Sequence, residues 1–310
     1  MIFSSRVWPC RLDPNMTTST TTTTTPQVHD LTSLLRTWYP AELFSPATPA
    51  SASTSTSTST STAASGGSPP RPRPFVTLTY AQSIDAKIAG PGGTQIRLSG
   101  AESMYLTHAL RALHDSILVG VGTVVSDDPQ LSARLPIPLP IEQQPRPLIL
   151  DPNLKSPTTC KLIRNHRKGT MPRPTFFCSE ESTLPNDRRQ EFEAAGARVE
   201  VLPLQATSRL SLTALLARQD LLGRSLMIEG GASVITAFLE AGLVDLLIIT
   251  VAPTIVGEGI CAVRQGLSLL RCAFYSQNLP PDLEPVETRV FGKDTVIVAR
   301  PKKQAELNGQ

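Results

Sequence analysis

Charge is scarce in this sequence of 310 residues and nearly balanced, with 29 Lys and Arg against 26 Asp and Glu and a formal net charge of +3. No basic run stands out, so no nucleic-acid partner is expected. Histidine is scarcer, four in all, and the five cysteines (Cys10, Cys160, Cys178, Cys261, Cys272) form an odd set without a CxxC spacing. Dispersed thiols in a chain this long read as reduced side chains rather than a disulfide framework, and no metal is expected. No apolar run reaches the length of a membrane-spanning helix, so no membrane partner is expected either. The first residues lack an apolar h-region and a clean cleavage site. Arg6 and Arg11 are compatible with a mitochondrial presequence, against which Asp13 and a following threonine tract argue; the expected compartment is the cytoplasm.

What is present is divided unevenly. The 40% of hydrophobic residues is an average over a split chain. Residues 17–25 are almost pure threonine and residues 51–62 alternate serine with threonine. Neither can bury enough apolar surface to offset the entropy of ordering. Between them, residues 30–44 space Leu31, Leu34, Leu35 and Trp38 as one face of a short helix, with Asp30 a candidate N-cap and the parent domain the expected docking surface. Residues 66–74 form a proline-rich linker. The expected division is therefore a Ser/Thr/Pro-rich leader over 1–73, a globular domain over 74–301 and a tail over 302–310.

Within the domain, strand and helix signals alternate, the pattern of an α/β fold. Strands are expected at 75–81, 116–121, 148–150, 175–178, 198–202, 225–228 and 243–251. Helices are expected at 99–113, where Ser99 and Glu102 suggest a capping box, and at 187–195, 212–219 and 233–241. Residues 286–291 and 295–298 read as a hairpin turning at 292–294, while 136–147 and 154–174 read as loops. Two stretches carry chemistry. The first, SILVGVGTVVSDDPQLSAR over 116–134, suits a doubly buried strand ending in glycines that let a ligand approach the backbone, and its GxGT taken alone also reads as a strand followed by an ordinary turn. The second, LMIEGGASVITAFL over 226–239, is a strand, a two-glycine turn and a helix whose N-terminus offers N–H groups and positive partial charge to a phosphate. It is not the Rossmann fingerprint, and taken alone it also reads as a tight turn.

Together with TLTYAQSIDAKIA over 77–89, these strings resemble, in order and over most of the chain from about residue 74 to 300, the reductase family of riboflavin biosynthesis. The resemblance is nearest to its fungal-type stand-alone members. It implies a dihydrofolate-reductase-like fold, with a mixed, mostly parallel sheet flanked by helices. It also implies NADPH-dependent reduction of the ribosyl group of 2,5-diamino-6-ribosylamino-4(3H)-pyrimidinone 5′-phosphate, and a homodimer. Position by position it assigns Thr123, Asp127, Gly230, Gly231, Ala232, Ser233 and Val234 to the cofactor. Ser83, Ser99, Leu131, Arg134 and Glu229 go to the phosphorylated ribosylamino-pyrimidine substrate.

Chemistry is consistent with those assignments. Arg134 is a planar fork suited to a phosphate, though on residue type alone it reads as a surface arginine. Glu229 ends a buried strand, where a carboxylate needs either hydrogen-bond donors from a ligand or a local Arg or Lys. Ser99 has the alternative role of helix cap. Ala86 stands where the family usually has glycine, which strains the backbone by about 1–2 kcal/mol if φ is positive there. Asp85 is a weak candidate for proton transfer, and His108 and His114 read as structural or surface residues; no catalytic acid is assigned. The H-x-E and P-C-x-x-C strings of the deaminase domain found in bifunctional bacterial relatives are absent, so reduction without deamination is expected. Two other readings are a dihydrofolate-reductase-like oxidoreductase with another substrate and an inactive nucleotide-binding module. Since every matched motif follows residue 74, residues 1–73 are expected to be dispensable for reduction.

Overall fold

The computed structural model describes residues 28–44, 73–136, 138–180, 187–205, 208–263 and 282–302. The Thr tract, the Ser/Thr alternation, Cys10, Cys272, the linker before residue 73 and the tail after 302 lie outside the described residues.

One nine-stranded sheet organises the domain. Its strands are β1 (Phe75–Ser83), β3 (Ser116–Gly120), β4 (Arg146–Leu150), β5 (Thr175–Ser179), β6 (Arg198–Leu202), β7 (Ser225–Ile228), β8 (Leu246–Ala252), β10 (Leu283–Phe291) and β11 (Asp294–Pro301). The spatial order is β10-β11-β8-β1-β7-β3-β4-β5-β6. Neighbours from β8 through β6 run parallel; β11 lies antiparallel to β8, and β10 to β11. This is the mixed, mostly parallel sheet flanked by helices that the resemblance implies. A flap of two short strands, β2 (Lys87–Ala89) and β9 (Ile260–Cys261), stands apart from it.

Both faces are covered, which explains the unbroken apolar runs. In β3, Ile117 and Val119 enter one core and Leu118 the other. The first face carries α1 (Val28–Trp38), α2 (Ala101–Leu113), α4 (Lys161–Arg167) and α5 (Asp187–Ala194); the second carries α6 (Leu212–Ala217), α7 (Gln219–Leu222) and α8 (Ala232–Glu240). The leader helix docks on the domain. Leu31, Leu34, Leu35, Trp38 and Tyr39 are buried in the same cluster as Phe75 and Leu110. Trp38 Nε1 donates to Glu287 Oε2 at 2.7 Å, and Thr77 Oγ1 hydrogen-bonds both the Tyr39 phenol (3.1 Å) and His114 Nε2 (2.9 Å). Asp30 falls inside α1 rather than at its cap. The core therefore includes side chains that precede residue 74.

Several expectations shift. Ser99 does not cap α2: Gly100 is the N-cap, its N–H donates to Asp294 Oδ2 at 2.6 Å, and Ser103 Oγ donates to the same oxygen. The hairpin turn thus brings a carboxylate to the helix's positive end. Residues 154–174, expected as loop, contain α4, and the segment after Gly120 is a helix, α3 (Val121–Asp127). Strand β8 starts three residues later than expected, because Asp245 is used in a turn where its carboxylate accepts from Val76 N–H and from Arg73. His108 and His114 are both buried, consistent with the structural alternative.

Candidate active site

The carboxyl ends of β1, β7, β3 and β4 open into a cleft of about 800 Å³. The two chemistry-bearing stretches are stitched together at its floor. Glu229 N–H donates to Leu118 O at 3.0 Å and Gly120 N–H to Gly230 O at 3.4 Å. A Cβ at Gly120 would lie 2.8 Å from Val234 Cγ2, so only glycine lets β3 end this close to α8. Gly230 and Gly231 hold φ of 98° and 80°, a region L side chains avoid, and a Cβ on Gly231 would meet Thr123 Oγ1 at 3.1 Å. The turn delivers the first N–H groups of α8, which have no carbonyl partner within the helix, to the cleft wall. Thr123, Asp127, Gly230, Gly231, Ala232, Ser233 and Val234 all line this one cavity. A glycine cradle at a helix start, with a hydroxyl 3.1 Å from where a side chain would be, fits the pyrophosphate of a dinucleotide.

The adjacent acid behaves differently. Asp128 has φ of 42°, accepts from Lys161 N–H at 2.6 Å and meets Arg164 at 3.3 Å, so it ties α3 to α4 while Asp127 faces the cleft.

A second cavity of about 710 Å³ shares Ala81, Gln95 and Leu98 with the first and is lined by Arg97, Ser99, Tyr105 and Arg134. Freed from capping, Ser99 faces it together with two guanidinium groups. Arg134 is held by its backbone, whose N–H donates to His108 Nδ1 at 3.1 Å, and its Nη1 reaches Ser132 Oγ at 3.3 Å. Burial, and then the Arg111 charge, push the Arg134 pKa down from its ordinary value. Burial, with Arg111 and Arg134 beside it, drives His108 down to about 3. His108 is therefore a neutral acceptor.

Glu229 lines the cleft and also has a local partner. Arg111 Nε and Nη2 donate to its two oxygens at 2.5 and 2.6 Å, and Arg111 Nη1 donates to Ser132 O at 3.1 Å. Of the two alternatives open for Glu229 in the sequence, the structure shows the local one, an arginine partner. Sequence reasoning missed Arg111; the signal was the demand of a strand-end carboxylate for a cation, together with an arginine beside the apolar stripe of α2. It also missed Arg97, for which only proximity to Ser99 offered a hint.

The remaining candidates lie off the walls of both cavities. Ser83 is fully buried; its Oγ donates to Asp85 Oδ1 at 2.6 Å and accepts from Lys87 N–H at 2.9 Å, which commits it to the turn between β1 and β2. Asp85 also accepts from Val256 N–H (3.0 Å) and Gly257 N–H (2.7 Å), clasping that turn to the segment after β8. The Ser83 hydroxyl and then these backbone donors lower its carboxyl to about 2, so the ionised form is the one the clasp holds. Ala86, at the tip, has φ of 61° and carries the left-handed strain the sequence made conditional. Leu131 is buried with φ of 51°, shaping the loop that presents Arg134.

Comparison with known proteins sets the chain beside proteins of riboflavin biosynthesis. The family model described as the RibD C-terminal domain matches residues 74–297. The 2,5-diamino-6-ribosylamino-4(3H)-pyrimidinone 5′-phosphate reductase of Debaryomyces hansenii is 38% identical over 192 residues, covering 59% of this chain and 76% of that protein. The riboflavin biosynthesis protein RibD of Aquifex aeolicus is 34% identical over 223 residues, covering 72% of this chain but only 56% of its own greater length. Among solved structures, the riboflavin biosynthesis reductase Rib7 of Saccharomyces cerevisiae superposes with a TM-score of 0.56 at 26% identity, over 76% of this chain and 93% of that one. Acinetobacter baumannii RibD gives 0.59 at 26% identity, over 74% and 58%.

Proposed function

The chain belongs to the RibD C-terminal domain family, and from that premise we propose that it uses NADPH to reduce the ribosyl group of 2,5-diamino-6-ribosylamino-4(3H)-pyrimidinone 5′-phosphate to a ribityl chain. The observation that carries this reading is the meeting of two anion sites. A cleft with a glycine cradle at a helix N-terminus adjoins a cavity with two arginines, and Ala81, Gln95 and Leu98 belong to both walls. A dinucleotide and a phosphorylated substrate bound in these would meet at the end of β1.

When bound, the reduced nicotinamide would supply a hydride to C1′, with the C1′–O4′ bond breaking and the ring oxygen taking a proton. The protein's part is to bind and orient. The first turn of α8 and Thr123 hold the dinucleotide phosphates, and Asp127 accepts from ribose or amide donors. Arg134, Arg97 and Ser99 hold the 5′-phosphate. Glu229, fixed by Arg111, accepts from the amino or hydroxyl groups of the substrate. His108, which accepts the Arg134 N–H, and Asp85, which accepts the Ser83 hydroxyl, line neither cavity, and we take water as the proton source. The alternative of an inactive module is disfavoured, because the cofactor-matching residues line one continuous cleft.

We further infer a symmetric homodimer with the C-terminal strands at or near the interface. Strand β10 is the outer edge of the sheet and leaves Val290 68% exposed. Light scattering at micromolar concentration should return twice the chain mass; a monomeric mass sinks this part. Among the described residues no helix is long and apolar enough to cross a membrane, and the compartment we assign is the cytoplasm. The function itself is tested by following NADPH absorbance with the ribosylamino-pyrimidinone phosphate and identifying the ribityl product. NADPH binding without turnover of this substrate would overturn the substrate assignment.

A further inference from the structure

The cleft runs on beyond the glycine cradle to the ends of β4 and β6, and that far end has a distinct chemistry. Its junction with the substrate cavity lies at β1, and the glycine cradle follows β7. Two strands further on, the wall is formed by Leu150 and Pro152 at the end of β4 and by residues 205, 208, 209 and 210 after β6. Adjacent strands lie about 4.8 Å apart, so β1 to β4 spans about 14 Å, which places the adenosine half of a dinucleotide at this end.

Among the described residues lining the cleft, Arg209 is the one cation; the other charged groups, Asp127, Glu229 and Glu240, are acids. Its loop is held by its own backbone. Gln205 N–H donates to Arg209 O (2.7 Å), Ser208 N–H to Gln205 O (2.9 Å) and Ser211 N–H to Pro203 O (2.8 Å), while Leu204 and Leu210 form a β-bridge. Ser208, beside it, holds φ of 55°. Arg209 Nη1 meets Glu240 Oε2 at 3.2 Å across the last turn of α8, and both side chains remain more than a quarter exposed. A guanidinium steered by one carboxylate keeps further N–H groups for a second anion. The helix N-terminus already answers the pyrophosphate. The charge left over on the proposed cofactor is the single group that distinguishes NADPH from NADH.

We propose that Arg209, with the Ser208 hydroxyl beside it, binds the 2′-phosphate of the adenosine and sets the preference for NADPH over NADH. The inference rests on the proposed function, since it presumes a nicotinamide dinucleotide in this cleft. It is read by binding rather than turnover. The intact chain is titrated calorimetrically with NADPH, NADH, adenosine 2′,5′-bisphosphate and 5′-AMP, and Arg209→Gln is titrated alongside.

The wild-type chain should bind NADPH more tightly than NADH, and the bisphosphate more tightly than 5′-AMP. Added KCl should narrow both gaps. Arg209→Gln should lose about ten- to a hundredfold for NADPH and the bisphosphate, the effect of one charge-assisted contact, and leave NADH and 5′-AMP unchanged. If the wild-type chain binds NADPH but shows no preference, or Arg209→Gln keeps the preference intact or weakens all four ligands equally, the role of Arg209 is wrong while the reductase reading stands. If the wild-type chain binds no dinucleotide, both fall. The bisphosphate and 5′-AMP comparison on the wild-type chain needs no variant to fold.

Discussion

Glu229 and Arg111 share an environment that makes each depend on the other. Their side chains are 12% and 10% exposed, and the guanidinium spends two donors on the carboxylate. Removing one partner of a buried pair leaves a desolvated charge, which costs roughly 3–5 kcal/mol, whereas removing both costs far less. Arg111→Met should therefore destabilise the domain strongly in urea melts, and Arg111→Met combined with Glu229→Gln should recover much of the loss. Purely additive costs would show that the pair is not coupled. Asp85 gives a prediction with a pH sign. Its carboxyl falls from an ordinary 3.8 to about 2 in the fold, so the ionised form is the one the clasp stabilises. That stabilisation is complete above about pH 4 and disappears as pH falls through about 2. Asp85→Asn should be less stable than the wild type at pH 7, with the gap closing in acid, and the pH profile of kcat should keep its shape. A profile that loses a limb in the variant would restore Asp85 as a proton-transfer group.

At the scale of elements, the function turns on two segments that answer different ligands. Gly231 requires a positive φ and sits 3.1 Å, at Cβ, from Thr123 Oγ1. Gly231→Val should weaken NADPH in a fluorescence titration by tenfold or more and leave the substrate KM less affected. Arg134→Ala should do the reverse, raising the substrate KM about ten- to a hundredfold with NADPH affinity nearly intact. Loss of NADPH binding by Arg134→Ala in the absence of substrate would mean that the two roles are misassigned. The elements themselves were legible in proportion to their apolar signal. Strands β3 and β7, helix α8 and the closing hairpin announce themselves by runs or periodicity. Helix α3 does not, because six of the eight residues of GVGTVVSD are glycine or β-branched; it is fixed from outside, by the approach of Gly120 to Val234. Helix α4 is short and basic, and the two-residue partner of β2 is too brief to leave a pattern. The arginines at 97, 111 and 209 carry little local signal, since each also depends on a neighbour distant in sequence, Arg134, Glu229 and Glu240 in turn.

At the scale of the whole molecule, the question is where the folded unit begins. All motifs follow residue 74, which makes the preceding chain look expendable, yet Leu31, Leu34, Leu35, Trp38 and Tyr39 are each no more than 7% exposed. A buried side chain of this size contributes about 1.5–3 kcal/mol, so the five together represent roughly 7–15 kcal/mol before the entropy of ordering α1 is subtracted. That is comparable with the entire stability of a typical domain, about 5–15 kcal/mol. Hydrogen bonds from Trp38 to Glu287, and from Arg300 Nη2 to Trp38 O at 2.9 Å, tie the helix to the C-terminal hairpin. We therefore place the start of the folded unit at α1 and not at the first motif. A chain beginning at residue 26 should melt as the full-length protein does and retain its NADPH affinity. One beginning at residue 74 should be poorly soluble or melt many degrees lower, by circular dichroism, with loss of binding following from loss of fold. If the shorter chain instead keeps both its melting temperature and its activity, α1 is an appendage and the core closes without it.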